Sequence, residues 1–280
     1  MIKTGIHTCY NGELGEIRRS NFFNINKAFE KKTTLSFKYV LSGEENYIVD
    51  GQEISLKRGN ALFFKDDKSY HGIIDSVDVT TGLCIDLNFD KTIISKDILQ
   101  EDLLFLFDPE FKTQKVNFLS PQLHKTLLKI GTEQNQDILF LEESMCEFMH
   151  GVLGLEAEFQ SKIAAIPVKK KNYQQELFKR LLIARNFIHD NLQQHIQLND
   201  IAEASNVSAF YIHRLFRQVF GCSPTVYLEQ IRMEAAKEKL RLQYAVKEVA
   251  YAVGYTDEAY FCRRFKKCFG MTPKHFMKTK

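Results

Sequence analysis

Glycine and proline are scarce in this chain, 14 and 5 of 280 residues, which excludes a collagen-like or low-complexity polymer. The longest wholly apolar stretch, Leu103 to Phe107, falls far short of the roughly 20 residues that a membrane-spanning helix requires. The first residues, Met-Ile-Lys-Thr-Gly-Ile-His, lack the apolar segment of an export signal, so a cytoplasmic protein with no membrane partner is expected. Six cysteines (Cys9, Cys84, Cys146, Cys222, Cys262, Cys268) include no CxxC, which argues against both a disulfide framework and a zinc cluster. What is present is a globular mixture, 44% hydrophobic and 26% charged. Its length suits two domains better than one core.

Charge of one sign is scarce in each half. Residues 1–165 carry 18 Lys+Arg against 25 Asp+Glu, a balance of −7, whereas residues 166–280 carry 20 against 10, a balance of +10. A basic C-terminal part beside an acidic N-terminal part points to a polyanion partner for one domain only. The sign changes at Ile166-Pro-Val-Lys-Lys-Lys-Asn172, where a proline and a basic run interrupt the helical pattern. The expected organisation is therefore a domain over 1–165, a linker over 166–172 and a domain over 173–280.

The C-terminal domain contains a doubled unit. Ile201-Ala202 matches Val249-Ala250 at an offset of 48. Phe216, Gly221, Pro224 and Tyr227 match Phe265, Gly270, Pro273 and Phe276 at an offset of 49, so the second copy carries one extra residue in its turn. Each copy reads as helix, tight turn, helix. Asn206 and Gly254 stand where left-handed backbone is needed. Ser208 in one copy, and Thr256 or Asp257 in the other, stand where an N-cap is needed. Ile212, Leu215, Phe216 and Val219 form the inward face of the helix from Ala209 to about Phe220, and Phe261 and Phe265 form that of its counterpart. This is the pattern of a helix-turn-helix, whose second helix enters the major groove.

The outward faces carry Phe210, His213, Arg214 and Arg217 on the first such helix, and Tyr260, Arg263, Arg264 and Lys267 on the second. Arginine can fork onto guanine O6 and N7, and an exposed aromatic ring can pack on a thymine methyl. Taken singly, Arg and Lys on a helix are ordinary surface; two faces that both pair Arg with an aromatic favour DNA contact. Between the copies, Ser223 and Pro224 open a continuous helix to about Leu240. As a rigid connector it would set the two reading helices apart. A separation of about 34 Å would put both on one side of a duplex. A preceding helix, Tyr173 to about Asp190, closes the small core through Leu177, Leu181, Ala184, Phe187 and Ile188.

Residues from about 173 to 280 resemble the DNA-binding domain of the AraC/XylS family of bacterial transcription regulators. The resemblance rests on the run from Gly254-Tyr-Thr-Asp-Glu-Ala-Tyr-Phe-Cys-Arg-Arg-Phe to Gly270-Met-Thr-Pro and Phe276, and on Gly221-Cys-Ser-Pro224. Tyr255 stands where the family shows Phe, and His213 where it shows Gln or Arg. The resemblance implies base contacts from Phe210, His213, Arg214, Tyr260, Arg263 and Arg264. It further implies promoter DNA and RNA polymerase as partners, activation of transcription, and a homodimer.

The N-terminal domain reads as short strands from Thr34 to about Phe89. These are Leu35 to Val40, Tyr47 to Val49, Ile54 to Leu56, Ala61 to Phe64 and a longer Val77 to Leu87, with Asp50-Gly51 as a hairpin signal. Helices follow over about 121–160. The fold class expected is a mainly-β barrel or sandwich with C-terminal helices, then an all-α domain with two helix-turn-helix units. The segment from Phe37 to Phe64 resembles the cupin-like sensor half of such regulators. Strand alternation offers Tyr39, Tyr47, Phe63 and His71 as lining for an effector pocket, although inward aromatics are more often core. Without an H-x-H pair, no metal and no other cofactor is expected. The helix from Ile138 could pack on the sandwich or form a dimer contact.

The leading reading is thus a sequence-specific transcription regulator with no chemical step of its own. Two rivals are an architectural protein that coats DNA without sequence preference and a cupin-type enzyme fused to a DNA-binding domain. The signal is left open among a small molecule, a protein partner and none; the acidic domain disfavours an anion.

Overall fold

In the computed structural model, the described residues are 5–12, 15–22, 25–32, 35–49, 52–64, 69–76, 79–87, 113–116, 119–132 and 137–279. They fall into two compact units, Met1–Ser161 and Lys162–Lys280. The first is β-rich and the second all-helical.

Among the described residues of the first unit are ten strands: β1 (Gly5–Gly12), β2 (Gly15–Phe22), β3 (Ile25–Lys32), β4 (Leu35–Ser42), β5 (Glu44–Val49), β6 (Gln52–Lys57), β7 (Ala61–Phe64), β8 (Ser69–Ser76), β9 (Thr80–Leu87) and β10 (Thr113–Val116). They form a six-stranded sheet in the order β1-β2-β9-β4-β7-β10 and a four-stranded sheet in the order β3-β8-β5-β6. Val49 pairs with Gln52 across β5 and β6, leaving two residues for the connection where the hairpin was expected. Asp50 and Gly51 themselves lie outside the described residues.

Both faces of β4 are buried. One carries Val40, which packs with Leu62 of β7 against Tyr47, Val49 and Leu56 of the other sheet. The opposite face carries Phe37 and Tyr39 toward two helices, α1 (Pro121–Thr132) and α2 (Ile138–Ala164). There the Phe37 ring lies 4.9 Å from that of Phe148, and the Tyr39 hydroxyl lies 2.7 Å from His124 Nδ1.

Between the sheets the interior is polar as well as apolar. Ser36, Lys38 and Glu45 are buried. Asp86 accepts hydrogen bonds from Arg18 and from the Ser36 hydroxyl, Arg18 Nη2 lies 3.0 Å from Cys84 Sγ, and Glu45 accepts from the hydroxyls of Tyr47 and Ser20. Burial pushes the Cys84 thiol and the Glu45 carboxyl up from their ordinary values.

Two strand expectations need correction. The strand expected from Val77 begins at Thr80, and β1 to β3 precede Thr34, where none was foreseen. The physical reason is that β1 and β2 do not alternate apolar with polar: Arg18 and Ser20 of β2 turn toward the polar interior, so no hydrophobic period marks the strand.

The second unit contains α3 (Lys171–Asp190), α4 (Leu198–Ala204), α5 (Ala209–Phe220), α6 (Pro224–Arg241), α7 (Val246–Ala252), α8 (Glu258–Phe269) and α9 (Pro273–Lys278). Leu177, Phe178, Leu181, Leu182, Ala184 and Ile188 bury one side of α3. The short stretch before α3 is held down rather than loose: Ile166 is buried, its carbonyl accepts from Gln174 Nε2 at 2.9 Å, and the Ala165 carbonyl accepts from Gln218 Nε2 at 2.9 Å. The second copy has its own core, built from Met233, Ala236 and Leu240 of α6 with Val249, Val253, Phe261 and Phe265.

Candidate nucleic-acid interface

The two helix-turn-helix units repeat one another at the level of single hydrogen bonds. Asn206 and Gly254 sit at φ 52° and 83°. The next amides close equivalent bonds, Val207 N–H to the Ala202 carbonyl at 3.0 Å and Tyr255 N–H to the Ala250 carbonyl at 2.9 Å. Ser208 caps α5 by accepting from the Tyr211 amide, and Asp257 caps α8 by accepting from the Tyr260 amide at 2.8 Å. Both helices are 12 residues long and end at a left-handed glycine, Gly221 or Gly270. Each is followed by a capping Ser223 or Thr272 and a proline. Since α5 starts at 209 and α8 at 258, structural equivalence runs at an offset of 49 along both helices.

That offset sorts the candidate residues. On α5, Phe210 is 78% exposed, and His213, Arg214 and Arg217 are exposed beside it. The Arg214 guanidinium lies 5.6 Å from the centre of the Tyr211 ring. On α8, Tyr260 is 47% exposed and Arg263 and Lys267 are exposed. The Arg263 guanidinium lies 5.8 Å from the Tyr260 ring. Tyr211–Arg214 and Tyr260–Arg263 are therefore the same pair in two copies. Such a stack holds the guanidinium over an aromatic face, with its fork free to turn outward.

Arg264 behaves differently from the other cations. It stands at the position equivalent to Leu215, which is buried in the first copy. Its guanidinium is forked onto the carboxylate of Glu229 on α6, through Nε to Oε1 and Nη2 to Oε2. The hydrogen bonds to Glu229 raise its already high pKa further. Arg264, expected on the outward face, is thus engaged in a half-buried ion pair within the helical unit, with its side chain 26% exposed. Tyr211, Lys266 (the counterpart of Arg217) and Glu229 were not singled out from the sequence. The 49-residue offset, carried across α8, would have found the first two.

Of the four candidate pocket residues, Tyr39 and Phe63 share one face of the six-stranded sheet and Tyr47 lies on another layer. Tyr39 and Phe63 belong to the six-stranded sheet, with Tyr39 against His124 and Phe63 with its ring 4.7 Å from Phe37, on the side facing the helices. Tyr47 lies in the core between the sheets. His71 pairs with Ile48, one position out of step with Tyr47, which pairs with Gly72; its side chain lies outside the described residues. Alternation along a strand gives two faces, and the sequence does not say which face looks at which layer. Burial pushes the Tyr39 hydroxyl up to about 12 and, with help from the Arg58 charge, lowers His124.

Residues 201–279 match the family of helix-turn-helix domains. The chain is 33% identical over 94 residues to the lactose operon transcription activator of Staphylococcus xylosus, covering 33% of this chain and 34% of that one. It is 28% identical over 136 residues to the bifunctional transcriptional activator/DNA repair enzyme AdaA of Bacillus subtilis, covering 48% and 63%. With the transposon Tn10 TetD protein of Escherichia coli it shares 32% identity over 95 residues, 34% of this chain and 69% of that protein. The chain belongs to the AraC/XylS family of transcription regulators. For two of these relatives, the lactose operon activator and AdaA, the match spans about a third to under two thirds of their length. The residues matched by the helix-turn-helix family run from within α4 through α9 and so include α5, α7 and α8. No helix among the described residues is long and apolar enough to cross a membrane.

Proposed function

We propose that α5 and α8 enter two successive major-groove segments of one duplex, and that the protein acts in the cytoplasm as a sequence-specific activator of transcription without an enzymatic step. The observation that carries this reading is the duplicated aromatic–arginine pair, Tyr211–Arg214 and Tyr260–Arg263, on helices with matching caps and length. Arg214 and Arg263 read base edges, Phe210 and His213 contact neighbouring bases, and Arg217, Lys266 and Lys267 neutralise phosphates. Arg264 acts through α8 from its ion pair with Glu229.

The division of labour proposed is sensing or dimerisation by a cupin-like unit over 1–165, a linker over 166–172 and DNA reading by 173–280. The dimer is a homodimer, and RNA polymerase is the partner at the promoter. The −7 balance of residues 1–165 favours a neutral or cationic effector over an anion.

The test is selection from a random duplex library by the full-length protein at about 150 mM salt, where phosphate-only binding is weak. The expected motif has two short blocks about one helical turn apart. Arg214→Ala relaxes one block and Arg263→Ala the other. A sequence-blind pool from the wild-type protein would refute direct readout and favour an architectural role.

A further inference from the structure

Two copies of a reading unit define a bipartite site only if something fixes the angle and distance between them. The helix α6 joins them, yet a single helix packed at each end can still rock on its neighbours. Two side chains one turn apart on α6 close that freedom. Arg232 donates from Nε to the Leu192 carbonyl at 2.7 Å and from Nη2 to the Gln194 carbonyl at 2.6 Å. Both carbonyls belong to the connection between α3 and α4. The same guanidinium lies 5.7 Å from the centre of the Tyr255 ring, in the turn of the second unit. That turn is pressed close: a Cβ on Gly254 would stand 2.8 Å from Arg232 Nη2 and 2.8 Å from the Leu192 carbonyl oxygen. Three residues earlier on α6, Glu229 takes the fork of Arg264 from α8.

From this geometry we infer that Glu229 and Arg232 are positioning residues that lock α8 to the first helix-turn-helix unit and so make the protein selective for the spacing between its two half-sites. The inference rests on the proposed DNA reading for its functional meaning, and on the contacts above for its mechanism. Arg232 holds the first unit and the second turn with one planar group, which a lysine cannot match because its ammonium, though it has three N–H donors, is a compact point charge with neither a rigid fork nor a face to lay against a ring. Glu229 holds the reading helix itself. Neither residue lies on the exposed faces of α5 or α8, so their loss leaves each half-site contact in place while loosening the relation between them.

The experiment uses the full-length protein and duplexes that carry the selected motif with its central spacer lengthened or shortened by one or two base pairs. Wild type discriminates the preferred spacer from its one-base-pair neighbours by about tenfold or more, the scale of a single lost base contact. Arg232→Met and Glu229→Gln flatten that preference to about twofold while affinity for a lone half-site stays within about twofold. Arg232→Lys falls between. A spacer preference equal to wild type in folded variants overturns the lock.

A second readout needs no DNA. In Arg232→Met, amide exchange in residues 190–196 and 252–257 accelerates together by about tenfold while α5 is unchanged. Wild-type exchange in both segments also overturns the lock. Should wild type select no bipartite motif, the DNA reading fails and the exchange measurement alone decides the lock. Should Arg232→Met lose helical content, Glu229→Gln, which alters only the ion pair, decides it through α8 amides.

Discussion

Replacing Gly254 by alanine adds one methyl group and tests the tightest point of the helical unit. Gly254 sits at φ 83°, where an L-residue crowds its own backbone at a cost of about 1–2 kcal/mol. The new Cβ also meets the Leu192 carbonyl oxygen at 2.8 Å, a backbone atom that cannot swing aside like the end of a side chain. Against this, alanine lowers unfolded-state entropy and returns about 0.4–1 kcal/mol. Relief of the contact adds about 1–2 kcal/mol, the cost of overpacking one methyl. The net loss is then about 2–3 kcal/mol.

The chain has two units, so a single global unfolding curve is a poor gauge. Native-state hydrogen exchange on the full-length protein reports each unit separately. Amides of Phe261 and Phe265 should exchange about 30–150-fold faster, since 1.4 kcal/mol is a factor of ten. Amides of Ile212 and Phe216 in α5 should stay at wild type. The control is Asn206→Gly, which places glycine at the equivalent turn, φ 52°, and should be near neutral. If Gly254→Ala leaves α8 exchange within threefold of wild type, the close-approach argument is wrong.

Other outcomes follow from the same contacts. Phe265→Ala empties a fully buried site in the second core and should destabilise that unit by about 3–5 kcal/mol; footprinting should then show the first half-site protected and the second exposed. Arg263→Ala should lose about 1–3 kcal/mol of base discrimination in one block only, read by competition with single-base variants. Lys267→Ala should weaken binding to every sequence alike and reduce the slope of log K against log salt by about 0.9. The buried Glu45 carboxyl is pushed up by burial, against lowering by the Tyr47 hydroxyl, the Lys38 ammonium and the Ser20 hydroxyl. Its folded state therefore keeps the proton to higher pH than the unfolded chain, and stability falls as pH rises above the ordinary carboxylate range. Glu45→Gln should raise the melting temperature of the β-rich unit near neutral pH, with the gain vanishing toward about pH 4.

The helical unit was legible because its signals are local. Ser208, Asn206, Ser223-Pro224 and Gly221 each act on the backbone within a few residues, and helix starts and turns fell where those residues stand. Its electrostatics were less legible. The sequence shows Arg264 on a helix beside Arg263, but the pairing with Glu229, 35 positions away, is a property of how α6 crosses α8. The β-rich unit was legible where strands alternate or run apolar. β4 and β5 carry buried apolar residues at period two and β7 is apolar throughout, whereas β2 carries Arg18, Arg19 and Ser20 in succession, which bond Asp86, the Ile130 carbonyl and Glu45. Alternation alone does not say which layer an aromatic faces. Tyr39 and Tyr47 look alike in sequence, yet one meets His124 of α1 and the other lies between the sheets.

Each reading helix begins at its own cap and stops at its own glycine, followed by a capping hydroxyl and a proline. Start and stop are thus written into the twelve residues and their borders, and the buried side needs only a few apolar anchors such as Ile212 and Phe216 or Phe261 and Phe265. The exposed residues Phe210, His213, Arg214, Arg217, Arg263 and Lys267 lie outside those buried anchors. Under the DNA reading proposed above they form an interchangeable cassette: exchanging them between the two copies should alter what the helix recognises while its caps and buried anchors stay in place. A duplicated scaffold of this kind can acquire a new target one half at a time.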